Sequence, residues 1–149
     1  MKLFAYGALM SQTWMKHIGV DPSTRQAAFL PKYSLVFTKQ AASHPQKGFA
    51  TIISDNNKTG IHGILYELTD EDVKIIDKTE DYPIGYTREE VFVTLSSGDK
   101  VEATTYVATP FTLQENLLPT KEYIALITES KDLLPADYIT KLMQTVTLD

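Results

Sequence analysis

The chain has 149 residues, is 43% apolar, carries a net charge of −5 and contains no cysteine. That length suits one domain spanning residues 1–149, able to bury roughly 68–70% of its unfolded surface without a disulfide or structural metal. The missing cysteine excludes thiol nucleophiles, disulfides and Cys-ligated zinc. An acidic balance without blocks of Lys or Arg argues against nucleic acid and anionic membranes as partners. With no signal-peptide pattern and no run of ~18 apolar residues, the expectation is a cytoplasmic protein working on a small molecule.

Taken in chain order, Lys2 to Tyr6 reads as a short buried strand that ends in a Gly turn, Tyr6-Gly7-Ala8-Leu9-Met10. Ser11 is placed to cap a helix with Trp14, Met15 and Ile18 as its apolar stripe. The alternation Tyr33, Leu35, Phe37 predicts a half-buried strand, Phe49 to Ile53 a second and Ile61 to Leu68 a third. Thr38 to Lys47 is polar, contains Pro45 and lacks periodicity, so it reads as a loop.

Thr69 and Asp72 form an Asp version of the capping box, and acidic residues 70 to 72 suit the first turn of a helix. Positions 73, 76, 77 and 80 then share one face, which sets Glu80 beside Val73 and Ile76, and Pro83 is expected to end the helix. Val91, Val93 and Leu95 alternate toward a turn at 96–99, and Val101 to Val107 return, the pattern of a hairpin. Tyr123, Leu126 and Ile127 predict a helix, and a last short one follows Leu133-Leu134-Pro135 with Tyr138 and Leu142. This inventory indicates an α+β fold with a curled or barrel-like sheet.

The three histidines stand apart without metal-ligand spacing, so no metal site is expected. Gly-x-Ser-x-Gly elbows, Walker loops and dinucleotide fingerprints are absent as well. Glu80 remains, with two readings. It is a capped or ion-paired acid near a helix end, or a general acid/base whose pKa is raised by desolvation and by like charge from Asp77. The Gly7 turn also has two: a strand end tolerant of unusual angles, or a nest of N–H groups for a carboxylate or oxyanion.

These residues, in order, resemble the gamma-glutamylcyclotransferase-like family, including its AIG2-like branch. Phe4-Ala5-Tyr6-Gly7-Ala8-Leu9 is similar to its Tyr-Gly-Ser signature, Gly48-Phe49-Ala50 to its Gly-x-Ala segment, and Ile61-His62-Gly63-Ile64-Leu65-Tyr66 to its Val-x-Gly strand. Ile76-Asp77-Lys78-Thr79-Glu80 follows its Leu-Asp-x-x-Glu helix, and Tyr82-Pro83, Tyr86 and Arg88 its continuation. Pro119 to Tyr123 and Leu134-Pro135 with Tyr138 resemble its closing helices. Two positions depart from the pattern: Ala8 stands for the usual Ser, and Asp81 for the Gly that commonly follows the acid.

The resemblance implies a small mixed β-barrel with flanking helices and no cofactor. It also implies cleavage of a gamma-glutamyl amide to 5-oxoproline and a free amine. Glu80 would act as base and then acid. Gly7, Ala8 and Leu9 would hold the glutamyl end, and Tyr6, Tyr86 and Tyr123 would line the pocket. A monomer or homodimer is expected, with the gamma-glutamyl substrate as partner. The other reading is a binding module of the same fold with weak or no catalysis.

Overall fold

A computed structural model describes residues 1–149. Five strands close into a barrel in the order β1-β5-β2-β6-β7: β1 (Lys2–Ala5), β5 (Gly60–Glu67), β2 (Arg25–Pro31), β6 (Tyr86–Leu95) and β7 (Lys100–Ala108). Neighbours run antiparallel except at the closure, where Leu3 of β1 pairs in parallel with Thr104 of β7, so the barrel is mixed. A separate two-stranded sheet, β3 (Tyr33–Ala41) and β4 (His44–Ser54), accompanies it. Four helices flank the sheets: α1 (Gln12–Ile18), α2 (Asp70–Thr79), α3 (Lys121–Thr128) and α4 (Ala136–Met143). The fold is α+β, as expected.

Local chemistry explains the helix ends. The Ser11 hydroxyl accepts from the Trp14 N–H, and Thr69 and Asp72 form the reciprocal capping box. Met15 and Ile76, both fully buried, carry the inward faces of α1 and α2. Pro83 does not end α2. The helix stops at Thr79, Glu80 is its C-cap, and Asp81 turns the chain with φ 52°, the left-handed region that glycine enters most easily. That angle is a physical reason for glycine to be common there, and Asp is among the side chains that tolerate it.

Two further differences concern strands. Strand β2 is invisible to an apolar alternation because its inward positions are Ala28 and Leu30, and small side chains suffice between two neighbours. The expected loop at Thr38–Lys47 is instead the end of one hairpin. Gln40 pairs with Gly48 and Ala41 with His44, while the Gly48 N–H donates to Leu118 O at 2.9 Å. Its side chains are polar because the tip is exposed, and the backbone pairing overrides the weak propensity. Gly48 is required there, since a Cβ would lie 2.1 Å from the Phe37 carbonyl oxygen.

Candidate active site

Strand β1 delivers its last residues to a cleft. After Tyr6 the chain enters a 3₁₀ turn at Ala8–Met10, in which the N–H groups of Met10 and Ser11 bond to the carbonyls of Gly7 and Ala8. The N–H groups of Gly7, Ala8 and Leu9 have no carbonyl partner within that turn, as the start of any helical turn requires. The turn is fixed from behind. The buried Tyr66 hydroxyl lies 2.9 Å from Leu9 O and 3.1 Å from Met10 O, and the Ser130 hydroxyl donates to Met10 O at 2.8 Å. The donors of the turn are thus held before any ligand arrives.

Beside them lies Ala50 of β4, and its placement follows from a register shift. Val36 pairs with Thr51 and Lys39 with Phe49, so Phe37 and Thr38 together oppose Ala50 alone. This β-bulge releases the Ala50 backbone from the ladder. Its N–H donates to the Tyr123 hydroxyl at 3.0 Å, and its carbonyl accepts from the Tyr86 hydroxyl at 2.9 Å. One residue's backbone therefore clamps two aromatic walls brought from α3 and β6. Tyr123→Phe is expected to leave that N–H without an acceptor and to lower stability by about 1–2 kcal/mol in urea denaturation.

Tyr6, Gly7, Ala8, Leu9, Glu80, Tyr86 and Tyr123 all line this single cleft, together with Phe4, Ala5, Ala50 and Tyr106. The space between them is about 350 Å³, a figure that includes the open mouth. Burial holds the Tyr6, Tyr86 and Tyr123 hydroxyls protonated, their pKa values well above the ordinary. The Tyr6 proton goes to Tyr106 O at 2.5 Å and the Tyr86 proton to Ala50 O, so both hydroxyls are committed to the walls. The Tyr123 oxygen only accepts from protein, which leaves its proton for a ligand.

Glu80 sits at the C-cap of α2, where the helix end aims its carboxyl among these rings. Burial raises its pKa to about 7, and the Lys39 ammonium opposes the rise. Asp77, expected to add repulsion, does not act on Glu80. Its carboxylate is paired with Arg88 and accepts from the Tyr106 hydroxyl at 2.5 Å, which neutralises it locally. Asp77 is a structural acceptor tying α2 to β6 and β7. Asp81 likewise acts on Lys39 and not on Glu80.

Tyr106 and Lys39 were not singled out in the sequence, and Ala50 was named only within the Gly48-Phe49-Ala50 segment, with no role in the cleft. Ala50 contributes backbone, so its side chain carries no signal. Tyr106 stands in an alternating strand like any core aromatic, and Lys39 lies in the stretch read as a loop. No group of three or more His, Asp or Glu is arranged to hold a metal ion. No helix is long and apolar enough to cross a membrane.

A family model described as gamma-glutamyl cyclotransferase, AIG2-like, matches residues 3–125. Among solved structures, one described as a gamma-glutamyl cyclotransferase superposes with TM-score 0.87 at 21% identity, over 99% of this chain and 89% of that one. An uncharacterized protein from Homo sapiens gives 0.83 at 22% identity, over 99% and 89%. A yeast gamma-glutamyl cyclotransferase described as specific to glutathione gives 0.68 at 16% identity, over 98% and 95%. At these identities the superpositions show a shared fold. No curated protein matches the chain. The family match spans most of the sequence and includes the β1 turn, the Ala50 segment and Glu80, and on that ground the chain belongs to the gamma-glutamyl cyclotransferase, AIG2-like family.

Proposed function

We propose that this protein converts a gamma-glutamyl amide to 5-oxoproline and a free amine, with Glu80 moving the proton. The observation that carries the reading is a lone half-buried carboxyl, raised by desolvation to a pKa of about 7, set in a cleft lined by the Gly7-Ala8-Leu9 turn. A group poised near neutrality serves well as base and acid in turn. The substrate's own α-amine is the nucleophile, so attack is intramolecular and needs no Ser or Cys.

In this reading the N–H groups of Gly7, Ala8 and Leu9 receive the glutamyl carboxylate. Ionised Glu80 takes one proton from the α-ammonium, and the freed lone pair attacks the γ-carbonyl, forming the ring C–N bond. The Tyr123 hydroxyl donates to the oxygen that gathers charge. When the carbonyl re-forms, the old amide C–N bond breaks and Glu80 gives its proton to the departing nitrogen. The attacking nitrogen sheds a second proton on becoming a lactam N–H, and the released amine takes it up as an ammonium. No water, electron or carrier is consumed.

The direct test is 5-oxoproline release, followed by mass spectrometry, from a panel of gamma-glutamyl amino acids, gamma-glutamyl amines and glutathione. Release from at least one, lost in folded Glu80→Gln, supports the reading. No release from any of them would replace it with a binding module on this fold. Because Glu80 must be ionised to accept the proton, kcat/KM is expected to fall as pH drops through about 7. An acid limb near 4.5 would mean that the carboxyl is not desolvated when substrate arrives.

A further inference from the structure

Lys39 is a half-buried cation that feels the Asp81 and Glu80 carboxylates at a distance and is ion-paired to neither. No acid lies within salt-bridge distance, and its only protein acceptor is the neighbouring Gln40 carbonyl, 3.0 Å from Nζ. An ammonium has three donors, so two are unused. Nζ also stands 5.5 Å from the centre of the Tyr86 ring, and that ring is a wall of the cleft. Lys39 itself does not line the interior. It therefore holds a charged head at the rim, steadied by an aromatic face and one carbonyl.

The bulge that frees Ala50 also sets this position, because Lys39 is the first residue to resume pairing after it, opposite Phe49. Arg88, another cation near the cleft, is tied to Asp77, and Lys47 rests over the Phe49 ring. Of the chain's cations, Lys39 is the one that acts on Glu80. A partly desolvated cation with unused donors at the mouth of a site is arranged for an anionic group on the ligand.

We propose that Lys39 is a specificity residue that recognises a carboxylate on the departing amine, so that the preferred substrates are gamma-glutamyl amino acids over gamma-glutamyl amines. This rests on the cyclotransferase reading above. Within that reading Glu80 serves two nitrogens, the α-ammonium and the leaving nitrogen. A lysine ammonium beside the α-ammonium would be repelled, which places Lys39 on the leaving side. The glutamyl carboxylate has the donors of the Gly7 turn. The group that emerges at the rim is the substituent of the leaving nitrogen, and in an amino acid it carries a carboxylate one carbon from that nitrogen.

The test compares gamma-glutamyl-alanine with gamma-glutamyl-alaninamide, which differ in charge and hardly in size. The wild-type protein is expected to favour the alanine substrate about tenfold or more in kcat/KM, as a hydrogen bond to a charged group allows. Lys39→Met should bring the ratio to near one, and Lys39→Arg should retain most of it. Loss of the cation also raises the Glu80 pKa, but that change acts on both substrates and cancels in the ratio. A wild-type ratio near one overturns the proposal while leaving the cyclotransferase reading intact. An equal loss on both substrates in Lys39→Met does the same, since it would place the charge on the glutamyl end or on Glu80 alone. No 5-oxoproline from either substrate, or from the wider panel, would overturn the reading and the specificity role together.

Discussion

Glu80→Gln is expected to lower kcat by about 10³-fold and, at the same time, to make the protein more stable above neutral pH. The first effect follows from removing the proton carrier, since positioned acid–base groups contribute about 10²–10⁴-fold. The second follows from linkage. The folded protein binds the Glu80 proton more tightly than the unfolded chain, because the carboxyl's pKa is about 7 in its cleft against an ordinary 4.5. Its contribution is therefore fully present below about 4.5, declines as pH rises through that interval, and is gone above about 7. The difference is on the order of 3 kcal/mol at most, since each pKa unit is about 1.4 kcal/mol.

Glutamine is neutral at every pH and nearly the same shape. Urea denaturation of both proteins should show little difference near pH 4 and a more stable variant near pH 8. Activity and stability thus move in opposite directions, which a merely structural acid would not produce. A Glu80→Gln protein that is less stable at pH 8 would mean that the carboxylate is held by favourable partners, and the desolvated-base account would fail.

Gly63→Ala is expected to cost about 3 kcal/mol, the upper part of the usual range for overpacking. Gly63 lies in β5 between β1 and β2, next to Ile64, which pairs with Ala5. A Cβ there would stand 2.3 Å from the Ala5 carbonyl oxygen and 2.7 Å from two atoms of the Phe4 ring. A backbone oxygen cannot swing aside as a side chain can, so β1 must separate from β5. For a chain of this length the melting temperature should fall by about 10 °C. The separation would occur where β1 passes into the Tyr6-Gly7 turn, and binding at the cleft should weaken along with stability. A variant that melts within 2 °C or so of the wild type would show that the strands yield more easily than the contacts require.

The residues that line the cleft were more legible in the sequence than the sheet was. Glu80 was legible because a capping box fixes the start of α2, and a fixed start sets the face of every later residue. The hairpin of β6 and β7 was legible because alternation survives on a half-exposed strand. Strand β2 was not, since a barrel wall packed between two neighbours can be built from alanine. The distal half of β3 and β4 was hidden for another reason. Exposed hairpin ends need no apolar residues, and the bonds that order them belong to the backbone and to residues more than 60 positions away, as in the pairing of Gly48 with Leu118. Lys39 was lost with that half. The electrostatics of Asp77 and Asp81 also required three dimensions, because neither Arg88 nor Lys39 is near them in a way that helical spacing reveals.

The bulge opposite Ala50 has a consequence for how such a site can be altered. What the two tyrosine hydroxyls use at position 50 is an amide N–H and a carbonyl, which every residue except proline supplies. Side-chain identity there is limited mainly by room, as a Cβ on Gly7 would already stand 3.2 Å from the Ala50 Cβ. Chain length is limited far more tightly. Removing one residue from Phe37-Thr38 would return Ala50 to the ladder and strip Tyr86 and Tyr123 of their partners. This part of the cleft is encoded by a residue count, so insertions and deletions, more than substitutions, are the changes able to unmake it.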